Sequence, residues 1–369
     1  MTKTILRRGA SRRSILQQFG AAAIGISIAP ALEACSRGGG SGGRVVNFYN
    51  WDTYIGETTL ADFEHATHVP VHMSLFATND ELFARLRAGN PGFDVIVPSN
   101  EFVTRMSQAQ MIQPLDHSKI PNFTANVDPS FQDAAFDPGR RFSMPYTWLT
   151  QGIAWNKERV PAGFRPDSWK WLLDSDRFHQ RIAVVSESAD LIRIAAKYLG
   201  HSVNNIPDAM LSQIEQMLIR QKPHIKAFHE DNGQDLLRSG EVDLVMEYNG
   251  DIAQLMAEDG GSKFDFVVPN EGSLLNSDTL CIPTGAPHLE DAHAFINFLL
   301  DAHTGMGITT TIKYPTPNRA ARELMPASYQ NNPVIFPPAA VMARCEYGAF
   351  EGDARARLYE EMFTRISAA

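Results

Sequence analysis

Carboxylates and aromatic rings gather where the apolar runs of this chain stop. Trp51, Asp52 and Tyr54 follow the run VVNFYN, just ahead of Gly56. Ser99 closes FDVIVPS, Glu187 and Asp190 follow RIAVVS, Tyr248 and Asp251 follow VDLVME, and Asp278 precedes TLCIP. An aromatic face attracts a cation at about 0.5–2 kcal/mol, and a carboxylate pairs one through charge-assisted hydrogen bonds. Such groups at the mouth of a strand are costly to bury and wasteful to expose, so they imply something to meet. Plainer readings stand beside this one. Trp51 and Tyr248 suit a core, Asp251 after Asn-Gly suits a helix N-cap, and Asp278 suits a cap or turn. Glu187 and Asp190 suit a solvated helix start, where the dipole favours acids.

Other chemistries find less support. His65, His68 and His72 are closely spaced, but Pro70 interrupts any helical face they would share, so no metal site is expected. There is no H-E-x-x-H pair and no phosphate loop. A secreted hydrolase with scattered catalytic residues remains an alternative; the expectation is a non-enzyme without a cofactor.

The elements that must position these residues follow from periodicity. TTLADFEHATH reads as a helix with Leu60 and Phe63 on one face, and VPVHMSLFA as extended. TNDELFARLRAG reads as a helix with Thr78 and Glu81 as a capping box, Leu82 and Leu86 inward, and Gly89 as its stop. FDVIVPS is the continuous apolar run of a buried parallel strand, and NEFVTRMSQAQ returns to helix. Two further strand–helix units lie in RIAVVSESADLIRIAAKYLG and VDLVMEYNGDIAQLMAE. EDAHAFINFLLDA reads as a helix with Ala294, Phe295, Phe298 and Leu299 in the core, and RLYEEMFTRI as a last helical portion. This alternation argues an open α/β sheet, in which ligands sit beyond the carboxyl ends of the strands.

The amino end reads as an address. Arg7, Arg8, Arg12 and Arg13 precede an apolar run from about Phe19 to Leu32. That run is shorter than the roughly 20 residues of a membrane span and has the shape of an export signal. SRRSIL is similar to a twin-arginine signal. LEAC resembles a lipobox ending at Cys35, which would then carry lipid, although Glu33 stands where a small residue is usual; APA at 29–31 offers ordinary cleavage instead. Residues 1–35 are thus the expected signal and 36–44 a Gly/Ser tether, whose SRGGGSGG would span about 15 Å as a random coil. Removing residues 1–34 takes away five basic residues and one acid, so the whole-chain charge of −9 becomes −13. An acidic body argues against nucleic acid and anionic membranes and is compatible with a cationic ligand. Cys281 and Cys345 are too few for a disulfide framework and are expected as free thiols.

Taken in order, FYNWDTYI, FDVIVPSN, MIQPLDHSKIPN, MPYTW, AKYLGHSVNN, SGEVDLVMEYNGD, AFINFLL and YPTPNRAAR resemble the polyamine-binding proteins of spermidine/putrescine ABC transporters, over essentially all of 45–369. The resemblance implies a two-lobed type II periplasmic binding protein fold, α/β in class, with ligand enclosed between lobes. It places lobe 1 at 45–150 plus 277–321 and lobe 2 at 151–276 plus 322–369. It also implies periplasmic localisation, a membrane permease as partner, and a monomer. The ligand set it implies is Trp51, Asp52, Tyr54, Ser99, Glu187, Asp190, Tyr248, Asp251, Asp278 and Tyr314, the last from the YPTPN turn. Aromatic faces would cover the methylenes of spermidine or putrescine while the acids pair its ammoniums.

Several positions depart from the pattern. Asp52 replaces a usual Ser or Thr, and Tyr248 a tryptophan. Glu101 and Asn276 stand where aromatics occur, and Gly348 where spermidine-type members carry glutamine. Glu101 would either add negative charge to the site or merely serve the amino end of its helix. A binding protein for another small solute is the main alternative.

Overall fold

Apolar residues run almost continuously along the inner strands, so successive side chains reach a core on each face of the sheet. The computed structural model describes residues 43–369 apart from Thr53, Asp231, Asp259 and Gly260. The expected signal with Cys35, and the tether up to residue 42, lie outside the described residues. In β1 (Val46–Trp51), Val46 and Phe48 enter one core and Tyr49 the opposite one. Val95 and Val97 join the first of these cores and Ile96 the second.

The first sheet runs β2 (Val71–Phe76), β1, β3 (Val95–Ile96), β9 (Leu274–Cys281), β4 (Ser143–Asn156). Strands β1, β2 and β3 are mutually parallel, while β9 is antiparallel to both β3 and β4. The second sheet runs β4, β7 (Leu244–Tyr248), β5 (Ile182–Val185), β6 (Ile225–His229), with β8 (Phe264–Val267) also on β4. The short β10 (Glu346–Tyr347) pairs with β9 at Leu274 and Leu275. Parallel strands here are joined through helices, as such pairs require.

One strand serves both sheets. β4 is 14 residues long and buried throughout. Ser143–Thr150 pairs with β9, and from Gln151 onward the partners become β7 and β8. Pairing slips between Pro145 and Thr147, where proline lacks the N–H that a regular ladder needs. Beyond the switch, Ile153 and Trp155 enter one core with Ile182 and Val184, while Ala154 and Ala183 enter the other. Two lobes of one α/β fold are thereby tied by a shared strand, in line with the expected class.

Most local expectations hold. Thr78 Oγ1 accepts from Glu81 N at 3.1 Å, and Glu81 Oε2 accepts from Ala77 N at 2.8 Å, one residue short of the usual box partner. Leu82 and Leu86 are buried, and Gly89 takes φ +103° just past the helix. FDVIVPS is buried from Val95 to Val97, though only Val95–Ile96 is laddered. In the helix Leu289–Leu299, Phe295 and Leu299 are core, but Ala294 is exposed, and Ala292 and Ile296 take the inward positions. The stripe includes Ala292, two residues ahead of where it was read, and Phe298 is only partly covered. Cys281 is buried in the first lobe and Cys345 half-buried against a core of the second, both as free thiols.

Gly152 lies just past the point where β4 changes sheets. A methyl there would collide with the Phe266 ring and stand 2.6 Å from the Val267 carbonyl oxygen. Gly152→Ala should therefore lower unfolding free energy by about 1–3 kcal/mol through overpacking. Chemical denaturation followed by circular dichroism tests this; an unchanged midpoint would mean that β8 yields without cost.

Candidate functional site

Asp278 is the hub of the first lobe's contribution. It sits on β9 opposite Thr147 and is bridged to Ser99. Ser99 Oγ donates to its Oδ1 at 2.7 Å and Tyr54 OH to its Oδ2 at 2.8 Å. Tyr54 OH also lies 2.5 Å from Thr147 Oγ1. Ser99 is itself oriented by Asn79, whose Oδ1 accepts from Ser99 N and whose Nδ2 donates to Ser99 Oγ, each at 3.0 Å. Burial pushes the Asp278 carboxyl above the usual range, and the Ser99, Tyr54 and Thr147 hydroxyls oppose that rise.

Asp190 is the hub of the second. It lies in the first turn of the helix Ser188–Tyr198, which starts immediately beyond β5. Its Oδ2 accepts from Gln151 Nε2 and, at 3.1 Å, from Tyr248 OH; the Asn276 side chain is a further partner. Burial raises its pKa to about 6, with those hydrogen bonds opposing. Glu187 occupies the N-cap position of the same helix without a side-chain capping bond, and its pKa is pushed up to about 7, by loss of hydration first and then by Asp190 and Asp80. Glu187 is nevertheless exposed. Both facts hold for a carboxylate that touches water yet is walled by protein on several sides, the setting of a recess rather than of an open surface.

The two hubs are neighbours by construction. Asn276 and Asp278 are two apart on β9 and so share a face, as do Thr147 and Gln151, four apart on β4. Among the described residues, no Lys, Arg or His stands within ion-pairing distance of Asp278, Asp190 or Glu187. Carboxylates placed in this way favour a bound cation.

Aromatic residues frame the pair. Trp51 is half-buried, donates from Nε1 to Val97 O at 2.9 Å, and tilts against Phe76 at 4.4 Å between centroids. Tyr54 meets the Tyr314 ring edge-on at 5.3 Å and Tyr146 at 5.7 Å. Tyr314 lies directly over Gly250, where any Cβ would collide with its ring. Gly250 belongs to the helix Asn249–Glu258 that follows β7, so this contact spans the two lobes. Asp251 is half-buried in that helix's first turn, and Asp52 is exposed beside Trp51.

Of the expected residues, Tyr54, Ser99 and Asp278 form one bonded network, and Asp190 and Tyr248 another beside Glu187. Tyr314 joins the first through Tyr54. Sequence reading did not single out Thr147, Gln151, Asn79 or Gly250. Polar residues inside the apolar run MPYTWLTQGIAW were the available signal. Asn276, where an aromatic is usual, helps to hold down the pKa of Asp190. Glu101 does not stand as a free acid, because it is paired with Arg193.

A sequence profile described as bacterial extracellular solute-binding protein matches residues 58–337. The spermidine/putrescine-binding periplasmic protein of Salmonella typhimurium is 31% identical over 353 residues, covering 95% of this chain and 96% of the relative. The putrescine-binding periplasmic protein PotF of Escherichia coli is 31% identical, covering 82% of this chain and 85% of its own. Among solved structures, the spermidine/putrescine ABC transporter substrate-binding protein PotD of Streptococcus pneumoniae superposes with a TM-score of 0.79 at 26% identity, covering 88% of this chain and 99% of that one. A lipoprotein of Treponema pallidum gives 0.78 at 27%, covering 88% and 100%.

Raised acids have a stability consequence. Unfolded Asp and Glu titrate near pH 4, at about 3.9 and 4.3. Between that pH and about 7 the folded, ligand-free protein therefore binds more protons at Asp190 and Glu187 than the unfolded chain does. Their contribution to stability is present at the acid end of this window and is lost as pH rises through it. The double variant Asp190→Asn, Glu187→Gln should flatten the pH dependence of ligand-free thermal unfolding between pH 4.5 and 7.5. A slope equal to that of the parent would place the acids in ordinary surroundings.

Proposed function

The chain belongs to the bacterial extracellular solute-binding proteins, and from that premise we propose that it captures a linear polyamine, spermidine or putrescine, for an ABC transporter. The observation that carries this is a set of three carboxylates, Asp278 and Asp190 buried and Glu187 exposed, lacking a cationic side chain among the described residues. The relatives named for polyamines support the ligand class. One ammonium pairs with Asp278 and Ser99, another with Asp190, Glu187 or Asp251, and the intervening methylenes lie against Trp51, Tyr248 and Tyr314.

The two lobes, 45–150 with 277–321 and 151–276 with 322–369, close over the amine by bending about the shared strand β4. The closed, loaded protein docks on the membrane permease as a monomer and turns nothing over. Delivery outside the cytoplasm depends on the twin-arginine-like signal, and lipid on Cys35 would hold the body near its permease.

The energetics are sufficient. A unit pair at 4 Å is worth about 4 kcal/mol at an effective dielectric of 20, before desolvation removes much of it. Micromolar affinity needs only about 8 kcal/mol in total. Calorimetric titration of residues 44–369 with putrescine, spermidine, a neutral sugar and an amino acid should show heat for the amines alone. Asp278→Asn should weaken every amine that binds at least tenfold, about 1.4 kcal/mol. Binding of the sugar without any amine, or an unaffected variant, would refute the assignment.

A further inference from the structure

The segment Glu346–Asp353 runs from β10 into the final helix, Asp353–Ala368. That helix belongs to the second lobe, because Tyr359, Met362 and Ile366 share a core with Ile182 and Ile192. The segment is fastened to the same lobe along its length. Lys197 pairs with Glu346. Asn204 grips the backbone, donating from Nδ2 to Tyr347 O at 2.9 Å and accepting from Ala349 N at 2.8 Å. Arg193 Nη2 donates to Ala349 O at 2.6 Å. Glu351 accepts from Asn205 N at 2.6 Å and from Tyr359 OH at 3.1 Å.

The same segment also meets the helix Asn100–Gln108, whose Val103 and Met106 share a core of the first lobe with Tyr49 and Phe76. Asn100, fully buried, donates from Nδ2 to Gly348 O at 2.8 Å. Arg105 Nη2 pairs with Asp353 Oδ1 at 3.1 Å, and the Phe136 ring meets Tyr347 at 6.0 Å between centroids. Beneath Gly348, Glu101 pairs with Arg193. A Cβ at 348 would lie 2.6 Å from Glu101 Oε1 and 2.7 Å from Arg193 Nη1, so only glycine lets the backbone close over the pair.

Each of these joints is made by protein groups, so none of them waits for a ligand. Arg193 has the most at stake. Its side chain is 2% exposed, and the Ala349 carbonyl and the Tyr359 ring cover it from its own lobe. The carboxylate that pairs with it comes from the other lobe. Drawing the lobes apart therefore leaves a partly covered cation without that partner, and a buried charge stripped of its partner is strongly destabilising. The helix that brings Glu101 also carries Ser99 to Asp278, so the arrangement that fastens the lobes keeps the site's donor in place. We propose that Glu346–Asp353 is a clasp between the lobes, which biases the ligand-free protein towards its closed form whichever solute the site takes.

The test is solution scattering of residues 44–369 without ligand, on the parent, Gly348→Ala and Glu101→Gln, each checked for folding by thermal melting. The alanine wedges the joint apart, and the glutamine leaves Arg193 without its paired charge. Both variants should show a larger radius of gyration than the parent, whose ligand-free value should stay close to its value at saturating putrescine or spermidine. Either variant decides if the other does not fold. Calorimetry should then show both amines weakened by the same factor, about threefold or more, because the binding-competent fraction has fallen while the contacts to the ligand have not changed. Ligand-free profiles of the variants that superimpose on that of the parent would overturn the clasp. Failure of the parent to bind either amine would instead remove the amine reading, and the ligand-free comparison would still decide the clasp.

Discussion

Two carboxyl groups, on Asp278 and Asp190, sit where protein has displaced their water, and their neighbours are arranged around that deficit. A carboxylate in such a place needs a proton, enough hydrogen-bond donors, or a cation. Asp278 is supplied with the Ser99, Tyr54 and Thr147 hydroxyls, and Asp190 with Gln151, Tyr248 and Asn276. These neutral donors hold the carboxylates in place without cancelling their charge. A lysine or arginine in the same position would have satisfied the acids permanently and left nothing for a ligand to do. Elsewhere the protein does use that solution. Asp243, fully buried, is neutralised by Arg159 and Arg181, and Glu101 by Arg193. The contrast separates acids that stabilise the fold from acids held in reserve.

The scaffold follows from the need to bring donors from distant segments to one place. β4 contributes Thr147 before it changes sheets and Gln151 at the first position after it, so one strand supplies a donor to each acid. Asn249 reinforces the change, accepting from Thr150 N at 3.1 Å and donating to Val334 O and Ile335 O. Glycine at 250 then lets Tyr314 lie across the start of the next helix. Residues from distant segments thus converge on the acids.

Sequence made the acids legible because a strand's carboxyl end is marked by the switch from an apolar run to polar residues. The Thr78–Glu81 cap and the inward Leu82 and Leu86 were legible for the same reason: their causes lie within a few residues. What could not be read had non-local causes. Ala294 and Ile296 differ little in hydrophobic pattern, and only the position of neighbouring helices selects the second for burial. Glu101 looked like a charge added to the site until Arg193, 92 residues away, was seen to take it. Thr147 and Gln151 were masked by the apolar residues between them, since a strand buried on both faces loses the alternation that would have exposed them.

The central strand also sets a constraint in time. Thr150 pairs with Leu275 and Ser143 with Cys281, so a segment made early in synthesis waits for partners more than a hundred residues downstream. Contacts of such long separation slow folding and leave an apolar, unpaired strand open to misassociation meanwhile. A chain with this topology gains from finishing its fold in one compartment before it is moved to another. The resemblance of SRRSIL to a twin-arginine signal, which serves cargo already folded, would suit that order of events.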